Sequence, residues 1–253
     1  MKDNIKKEAI PPKFSPLSGE AGDEASWVKK TQKTYNLIAQ KFSETRKKKD
    51  KVLNFFFSKF SPRGKTLEIG CGSARSVTYL KKQRFFKNPK NSYLGIDYSA
   101  KLLFEAKKQR ETKLYKKNID FQKKNLLNLN YKNQFDSIFG LAVIHHLPKS
   151  FQLSVLKKIY QALKKNGIFA GYIWTPGEKI TKKWQKIGEK SYFKFWEGNP
   201  KLPIFYYYFT KKDLRELLKK VGFKKIKLLK SASRQKSKFF KIKKNLFFFA
   251  YKN

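Results

Sequence analysis

The sequence predicts an α/β fold in which helices flank a doubly wound, seven-stranded sheet that is mostly parallel. Short apolar runs alternate with segments whose apolar residues recur at helical spacing, as in a series of β-α-β units. A glycine-rich turn within Lys65–Arg75 joins the first strand to a helix, as at the first strand of many doubly wound sheets. Two strands follow the last helix directly, which predicts an edge pair with one antiparallel C-terminal strand.

The N-terminal region is predicted to be a flexible arm over residues 1–25, followed by one domain over residues 26–253. Prolines and glycines prevent regular structure in the arm. Ser26 is the expected N-cap of the first helix, and Lys51–Lys59 is expected to be a second helix. The first helix carries an apolar stripe that is expected to pack on, or cover, a ligand pocket: Trp27, Thr31, Tyr35, Ile38 and Phe42.

Seven strands are predicted, in the order Thr66–Ile69, Ser92–Ile96, Ile119–Gln122, Phe135–Ala142, Ile168–Trp174, Phe223–Leu229 and Leu246–Tyr251. The helices between them are expected from near Ala74 to Arg84, from a Ser99 cap to Arg110, from a Ser150 cap to Asn166-Gly167, and from a Thr210-Asp213 capping box to Gly222. Residues 176–209 are an aromatic and basic insertion without a clear period. We expect this insertion to lie near the substrate site.

The turn after the first strand is the predicted ligand site. Gly70 and Gly72 remove side chains where the backbone turns sharply and a ligand approaches, and Glu68 stands at the end of the strand. Asp97 ends the second strand, where an α/β nucleotide fold binds ribose hydroxyls. A Walker phosphate loop is excluded because no Gly-Lys-Ser/Thr follows. A dinucleotide fingerprint is incomplete because Arg75 occupies the place of its third glycine.

The chain is strongly basic, with 60 Lys+Arg against 18 Asp+Glu and a formal net charge of +42 over 253 residues. This balance favours a polyanionic partner, nucleic acid before an anionic membrane, although an AT-rich genome would also enrich lysine, phenylalanine and asparagine. Cys71 is the single cysteine, which excludes an internal disulfide. The N-terminus shows no signal-peptide pattern and no apolar run reaches the length of a membrane span, so we expect a cytoplasmic location.

Together these motifs resemble class I S-adenosylmethionine (SAM) dependent methyltransferases. The resemblance rests on Glu68-x-Gly70-x-Gly72, then Asp97, then Phe135-Asp136 and a C-terminal strand. It implies a Rossmann-like methyltransferase sheet, SAM as the cofactor and no metal. The cofactor-binding residues that it implies are Glu68, Gly70, Cys71, Gly72, Asp97, Tyr98, Asn125, Leu126, Leu141 and Ala142.

Three further segments are similar to the tRNA wobble-uridine carboxymethyl methyltransferases: Tyr35–Arg46, Gly140–Leu147 and Gly171–Lys179. This narrower resemblance implies a tRNA substrate whose carboxymethyl group is esterified, and it implies Arg46 and His145 near the reacting groups. A carboxylate is already a nucleophile at neutral pH, so proximity and orientation can supply most of the rate. Eukaryotic relatives of that group work with a small zinc-binding partner, so a small activating partner protein is a further expectation.

Two alternatives stay open beside RNA methylation. The segment Ile204–Phe209 lacks the arginine and the histidine that the wobble-uridine enzymes tend to carry there. A small-molecule methyltransferase, acting on a quinone precursor or a carboxylic acid with the insertion as an apolar lid, is therefore the first alternative. A SAM-binding or RNA-binding module without turnover is the second. Methylation of a pyrimidine C5 through a cysteine adduct is disfavoured, because Cys71 lies in the cofactor loop.

Overall fold

The computed structural model describes residues 23–46, 50–111, 118–176, 181–230 and 245–253, so most of the predicted N-terminal arm lies outside the described residues. The α-helices within these ranges are α1 Glu24–Thr45, α2 Lys51–Lys59, α3 Ser76–Lys82, α4 Ala100–Glu111, α5 Lys149–Ala162 and α6 Lys211–Val221. The strands are β1 Lys65–Ile69, β2 Ser92–Asp97, β3 Ile119–Lys123, β4 Phe135–Leu141, β5 Leu163–Trp174, β6 Gln185–Lys186, β7 Ser191–Phe195, β8 Pro203–Tyr207, β9 Lys224–Lys230 and β10 Asn245–Tyr251.

Seven strands form one sheet in the order β3-β2-β1-β4-β5-β10-β9. The first five pair in parallel, and β10 runs antiparallel to both of its neighbours. The predicted fold class is therefore confirmed, including the antiparallel C-terminal strand. Because β1 and β4 are neighbours while β2 and β3 extend to the other side, the strand order reverses beside β1, where α/β sheets bind ligands.

Apolar side chains fill both faces of this sheet. On one face, Leu67 and Ile138 pack with α5 and α6, and on the other, Phe139 packs with Phe56 of α2 and with residues of α3 and α4. Neighbouring residues of a strand thus enter opposite cores, as the two-residue period requires. The run Phe247–Phe249 of β10 is buried in the same way and is unavailable for stacking on RNA bases.

The beginning of α1 and both ends of α5 differ from the predictions. The N-cap of α1 is Asp23, whose carboxylate accepts from the Ala25 amide, so the cap predicted at Ser26 is wrong. Helix α5 begins at Lys149, one residue before the predicted cap at Ser150. It ends at Ala162 instead of Asn166-Gly167, because the loop before β4 donates two backbone hydrogen bonds to the last carbonyls of α5.

The helix after the glycine turn is also shorter than predicted. Ala74, the expected start, has a left-handed φ of 58°, and α3 begins two residues later at Ser76. Arg84, the expected end, has the same left-handed φ, and α3 ends at Lys82. The capping box between Thr210 and Asp213 and the stop of α6 at Gly222 are confirmed.

The insertion contains a three-stranded antiparallel sheet, β6-β7-β8, that its irregular pattern did not predict. Two threonines of α1 attach β8 to the domain. Thr31 accepts from the Phe205 amide at 3.0 Å and Thr34 donates to the Pro203 carbonyl at 2.7 Å. The Trp27 ring stacks on Phe205 with 5.3 Å between ring centroids. Helix α1 and β8 are therefore held together above the main sheet.

Gly171→Ala should destabilise the sheet at the contact of β4 with β5. An added Cβ would lie 2.2 Å from the Gly140 carbonyl oxygen and 2.8 Å from the Phe248 ring, and the backbone oxygen cannot move aside. We expect a loss of about 1–3 kcal/mol in the free energy of unfolding, measured by urea denaturation. Gly188→Ala is the matched control, since its nearest contact is 3.3 Å from Ser191 Cβ. Equal midpoints for the two variants would contradict this packing.

Candidate functional site

A cavity of about 360 Å³ lies at the carboxyl ends of β1, β2, β4 and β5, and its size suits a small-molecule ligand. The glycine turn after β1 and the residues that follow β4 form its floor. Helix α1 covers it with the stripe that includes Tyr35 and Phe42, and β8 contributes Ile204 and Tyr206. The predicted covering role of α1 therefore agrees with the position of this helix.

The glycine turn is open to the cavity at one position. Gly70 and Gly72 both have left-handed φ values, 59° and 53°. A Cβ on Gly70 would lie 2.5 Å from the Val143 side chain, whereas a Cβ on Gly72 would meet no protein atom within 4 Å. A side chain at position 70 would therefore clash with Val143, which explains the glycine there. Gly72 leaves room at its α-carbon and presents bare backbone to the cavity.

Asp97 connects this turn to the start of α4. One carboxylate oxygen accepts from the Gly72 amide at 2.9 Å and the other accepts from the Ser99 amide at 2.8 Å. The side chain is buried, and burial raises the pKa of the Asp97 carboxyl to about 6, although the backbone amides act in the opposite direction. The Tyr98 amide also contributes, so a carboxylate with about four acceptor positions keeps capacity for a ligand hydroxyl.

Glu68 lies deeper and connects three elements. One carboxyl oxygen accepts hydrogen bonds from the Ser76 hydroxyl of α3 and the Tyr93 hydroxyl of β2. Burial raises the pKa of the Glu68 carboxyl to about 8, although both hydroxyls lower it. Glu68 also borders the cavity, but its polar contacts within the described residues are with the protein and fix the glycine turn against β2.

The paired histidines after β4 differ in their surroundings. His146 Nδ1 lies 2.7 Å from the Phe205 carbonyl and Nε2 lies 3.1 Å from the Tyr35 hydroxyl, so His146 ties β8 to α1. Burial lowers the pKa of His146 to about 4. His145 Nδ1 accepts from the Trp174 amide at 3.3 Å, and burial lowers its pKa as well. Since Nδ1 accepts, the neutral His145 carries its proton on Nε2.

Two cations border the cavity near α1. The Arg46 guanidinium lies 4.8 Å from the centre of the Phe42 ring, and its Nε atom is buried without a hydrogen-bond partner among the described residues. Lys194 of β7 lies 5.2 Å from the centre of the Trp174 ring. The acids of the wall have protein partners, because Asp50 pairs with Arg75 at 3.0 Å and both Glu68 and Asp97 are hydrogen-bonded.

Aromatic rings form the end of the cavity beneath β8. The Tyr206 ring stacks on His145 with 5.0 Å between centroids and lies edge-on to Trp174 at 5.6 Å. Trp196 packs on Phe42 at 5.7 Å. Sequence reasoning missed Lys194, Trp196 and Tyr206 as cavity residues, although the insertion was expected near the substrate site. Their aromatic and basic composition was the available signal.

The cavity wall contains all the residues predicted for the site. These are Arg46, Glu68, Gly70, Cys71, Gly72, Asp97, Tyr98, Asn125, Leu126, Leu141, Ala142 and His145. Their individual roles stay predictions. Within the described ranges, no group of three or more His, Cys, Asp or Glu side chains is arranged to hold a metal ion. Among the helices of those ranges, none combines the length and apolarity of a membrane span.

Comparisons with known proteins agree with this geometry. Residues 67–169 match a family model described as a methyltransferase domain. The demethylmenaquinone methyltransferase of Lactobacillus johnsonii is 29% identical over 180 residues, which cover 65% of this chain and 69% of that protein.

Two solved structures share the fold. Burkholderia thailandensis 1,6-didemethyltoxoflavin-N1-methyltransferase, with 1,6-didemethyltoxoflavin and S-adenosylhomocysteine bound, is 13% identical with a TM-score of 0.66 and 94% of each chain covered. A chain from the Haloferax volcanii complex of the Trm112 methyltransferase activator with its proposed methyltransferase partner is 11% identical. Its TM-score is 0.65, with 87% of this chain and 96% of that chain covered.

Glu68→Gln should remove a pH dependence of stability. The folded chain keeps a proton on Glu68 up to pH about 8, whereas an unfolded glutamate releases it near pH 4.3. The folded state therefore binds more protons in this window, and the free energy of unfolding should fall by about 1–2 kcal/mol between pH about 6.5 and 8. The pKa values of His145 and His146 are lowered, so these two histidines change the pH dependence of stability mainly below pH about 6.5.

Urea denaturation across this pH range should show the fall in the wild-type chain and a flatter profile in Glu68→Gln. Glu216→Gln changes an exposed acid on α6 and should keep the wild-type slope. An unchanged slope in Glu68→Gln would show that another group titrates.

Proposed function

We propose that this S-adenosylmethionine-dependent methyltransferase acts on a small planar acceptor that carries an acidic group. The methyltransferase domain at residues 67–169 and the fold shared with solved SAM-dependent methyltransferases are the premise. The observation that carries the acceptor class is the set of aromatic rings that line the cavity together with the buried Nε of Arg46, which has no hydrogen-bond partner within the described part of the chain.

The open side of the glycine turn suits the cofactor. Gly72 leaves space for a ligand against the backbone, and Asp97 presents two fixed carboxylate oxygens beside it, as ribose hydroxyls require. Asn125 accepts from the Leu127 amide at 3.0 Å, which orients its side-chain amide for the adenine edge. Leu126 and Leu141 supply apolar surface. When bound, the cofactor supplies an electrophilic methyl group on a positively charged sulfur.

The acceptor end suits a flat ring with an anionic substituent. The rings of Trp174 and Tyr206 offer faces and edges for stacking, and aromatic faces also attract a sulfonium cation. The unpartnered Nε of Arg46 favours a carboxylate, from the cofactor or from the acceptor, because a buried cationic donor without a partner is costly. The similar demethylmenaquinone and 1,6-didemethyltoxoflavin enzymes are both named for small-molecule substrates.

His145 is suited to orient the acceptor by hydrogen bonding. Its Nδ1 is occupied by the Trp174 amide, so Nε2 offers an N–H donor. Such a donor would stabilise an oxyanion on the acceptor, whereas a base would need a free nitrogen lone pair. An acceptor that ionises near neutral pH needs no strong base, so orientation against the methyl group can supply most of the rate.

A tRNA acceptor with a carboxymethyl group is the second candidate, and the net charge of +42 favours it. A uridine base is also planar, and its carboxylate would suit Arg46. The burial of Phe247–Phe249 removes one set of aromatic residues that could have stacked on RNA. A small activating partner stays a prediction, supported by the Trm112 complex of a structural neighbour. An assay of methyl transfer to tRNA and to small molecules distinguishes the two acceptor classes.

Asp97→Asn should weaken SAM binding by about 10- to 100-fold, because an amide replaces a charged acceptor and its NH₂ would oppose a backbone donor. Isothermal titration calorimetry with SAM measures the change. Asp136→Asn is the matched control, since Asp136 accepts from the Lys65 amide at the opposite end of the sheet. Wild-type affinity in a folded Asp97→Asn chain would exclude the proposed ribose contact.

The acceptor class can be assayed with labelled SAM and two fractions from the source cells, total tRNA and a small-molecule extract. We expect label in the small-molecule fraction, in an acidic and aromatic product. The rate should change little between low and moderate salt, since few phosphates are involved. The chain is assayed alone and with a lysate, so that a requirement for a partner is detected.

Label in tRNA, lost steeply as salt rises, would replace the small-molecule proposal by the second candidate. SAM binding with no transfer to either fraction, with and without lysate, would indicate a module without turnover.

A further inference from the structure

The outer surface of α1 and α4 carries the two most exposed large apolar side chains of the described residues. Leu37 on α1 is 61% exposed and Phe104 on α4 is 60% exposed, whereas Tyr251 follows at 38%. Single exposed apolar residues are common on protein surfaces. Two of this size on neighbouring helices are less usual and require an explanation.

Hydrogen bonds place these helices side by side. Asn36, next to Leu37, accepts from the Ser99 hydroxyl at 2.8 Å and from the Lys101 amide at 3.4 Å. Phe104 lies one helical turn after Lys101. Leu37 and Phe104 therefore project into solvent from two helices that contact each other. We call this surface the Leu37–Phe104 face.

Exposed lysines surround the apolar pair. Those on α1 are Lys29, Lys30, Lys33 and Lys41, and those on α4 are Lys101, Lys107 and Lys108. Lys108 Nζ lies 4.3 Å from the centre of the Phe104 ring and pairs with Glu105 at 3.0 Å, and Lys41 pairs with Glu197 at 2.7 Å. Among the described residues, the other lysines therefore carry the unpaired charge of the rim. Within the described parts of these helices, Glu44 is the exposed acid, and its carboxylate accepts from Gln40. The face is therefore apolar at its centre and cationic at its rim.

We infer that the Leu37–Phe104 face docks on an anionic lipid bilayer. Lysines attract the chain to anionic headgroups, and apolar side chains between them can enter the interfacial layer. RNA would satisfy the lysines equally well, but it binds exposed aromatic rings by stacking. The aliphatic Leu37 offers no stacking surface, and burial in lipid removes it from water. A bilayer thus accounts for both apolar residues.

Docking on this face would bring the cavity close to the membrane. The opposite side of α1 lines the cavity with Val28, Tyr35 and Phe42, and Arg46 follows at the end of the same helix. Leu37 and Arg46 are nine residues apart, which is about 14 Å along a helix axis. The membrane contact does not depend on the proposed acceptor, and its tests measure binding alone.

Vesicle co-sedimentation of the full chain tests the inference. We expect binding to vesicles of phosphatidylcholine with phosphatidylglycerol and much weaker binding to phosphatidylcholine alone. Leu37→Ser combined with Phe104→Ser should lower the partition coefficient roughly tenfold or more at moderate salt, where lysine attraction is screened. Tyr251→Ser is the matched control and should bind like the wild type.

Substitution of two lysines provides a second, independent test. Lys101→Gln with Lys107→Gln should weaken vesicle binding at low salt more than Lys224→Gln with Lys227→Gln, which changes exposed lysines of β9. Thermal unfolding verifies that each variant is folded, as expected for surface positions. Equal vesicle binding by wild type and the Leu37/Phe104 variant would overturn the inference. Loss of tRNA affinity with vesicle binding unchanged would assign this face to RNA instead.

Discussion

The carboxylate of Asp97 is the constraint on which the site depends. One oxygen holds the backbone of the glycine turn and the other holds the first turn of α4. Asp97 thereby fixes the turn after β1 relative to the end of β2, and both segments line the cavity. The arrangement is costly, since burial raises the pKa of Asp97 to about 6. Backbone amides offset part of that cost, and ribose hydroxyls would contribute further hydrogen bonds to the same oxygens.

Helix α1 completes the site from the opposite side. Thr31 and Thr34 join it to β8, and the Tyr35 hydroxyl meets His146, which also contacts the Phe205 carbonyl. The three contacts made by α1 join segments more than 100 residues apart in sequence, and all four contacts converge on one wall. His146 is consequently committed to structure, and this leaves His145 as the histidine whose Nε2 can serve a ligand.

Sequence patterns predicted the sheet and the residues that line the cavity, because both depend on local signals. Gly70, Gly72 and Asp97 are recognisable from spacing alone, and the alternation of strands and helices predicts a parallel, doubly wound sheet. Predicted helix boundaries were wrong where backbone from another part of the chain ends a helix. At the end of α5, for example, amides of the loop before β4 donate hydrogen bonds to the last carbonyls of the helix. The β6-β7-β8 sheet was missed because its strands are short. Strand β8 also packs on α1, so the burial of its residues follows tertiary contacts and shows no two-residue period.

The charge of the whole chain and the charge of the cavity give different kinds of information. A net charge of +42 acts over a Debye length and attracts any polyanion, so it cannot distinguish RNA from a membrane. The cavity discriminates at contact distance, where Arg46 has an unpartnered donor and each acid of the wall has a protein partner. The proposed acceptor class therefore depends on the local charge imbalance within the cavity. The overall charge attracts the chain to polyanionic surfaces of either kind, and in the inferred membrane contact the exposed Leu37 and Phe104 favour a surface with an apolar interior.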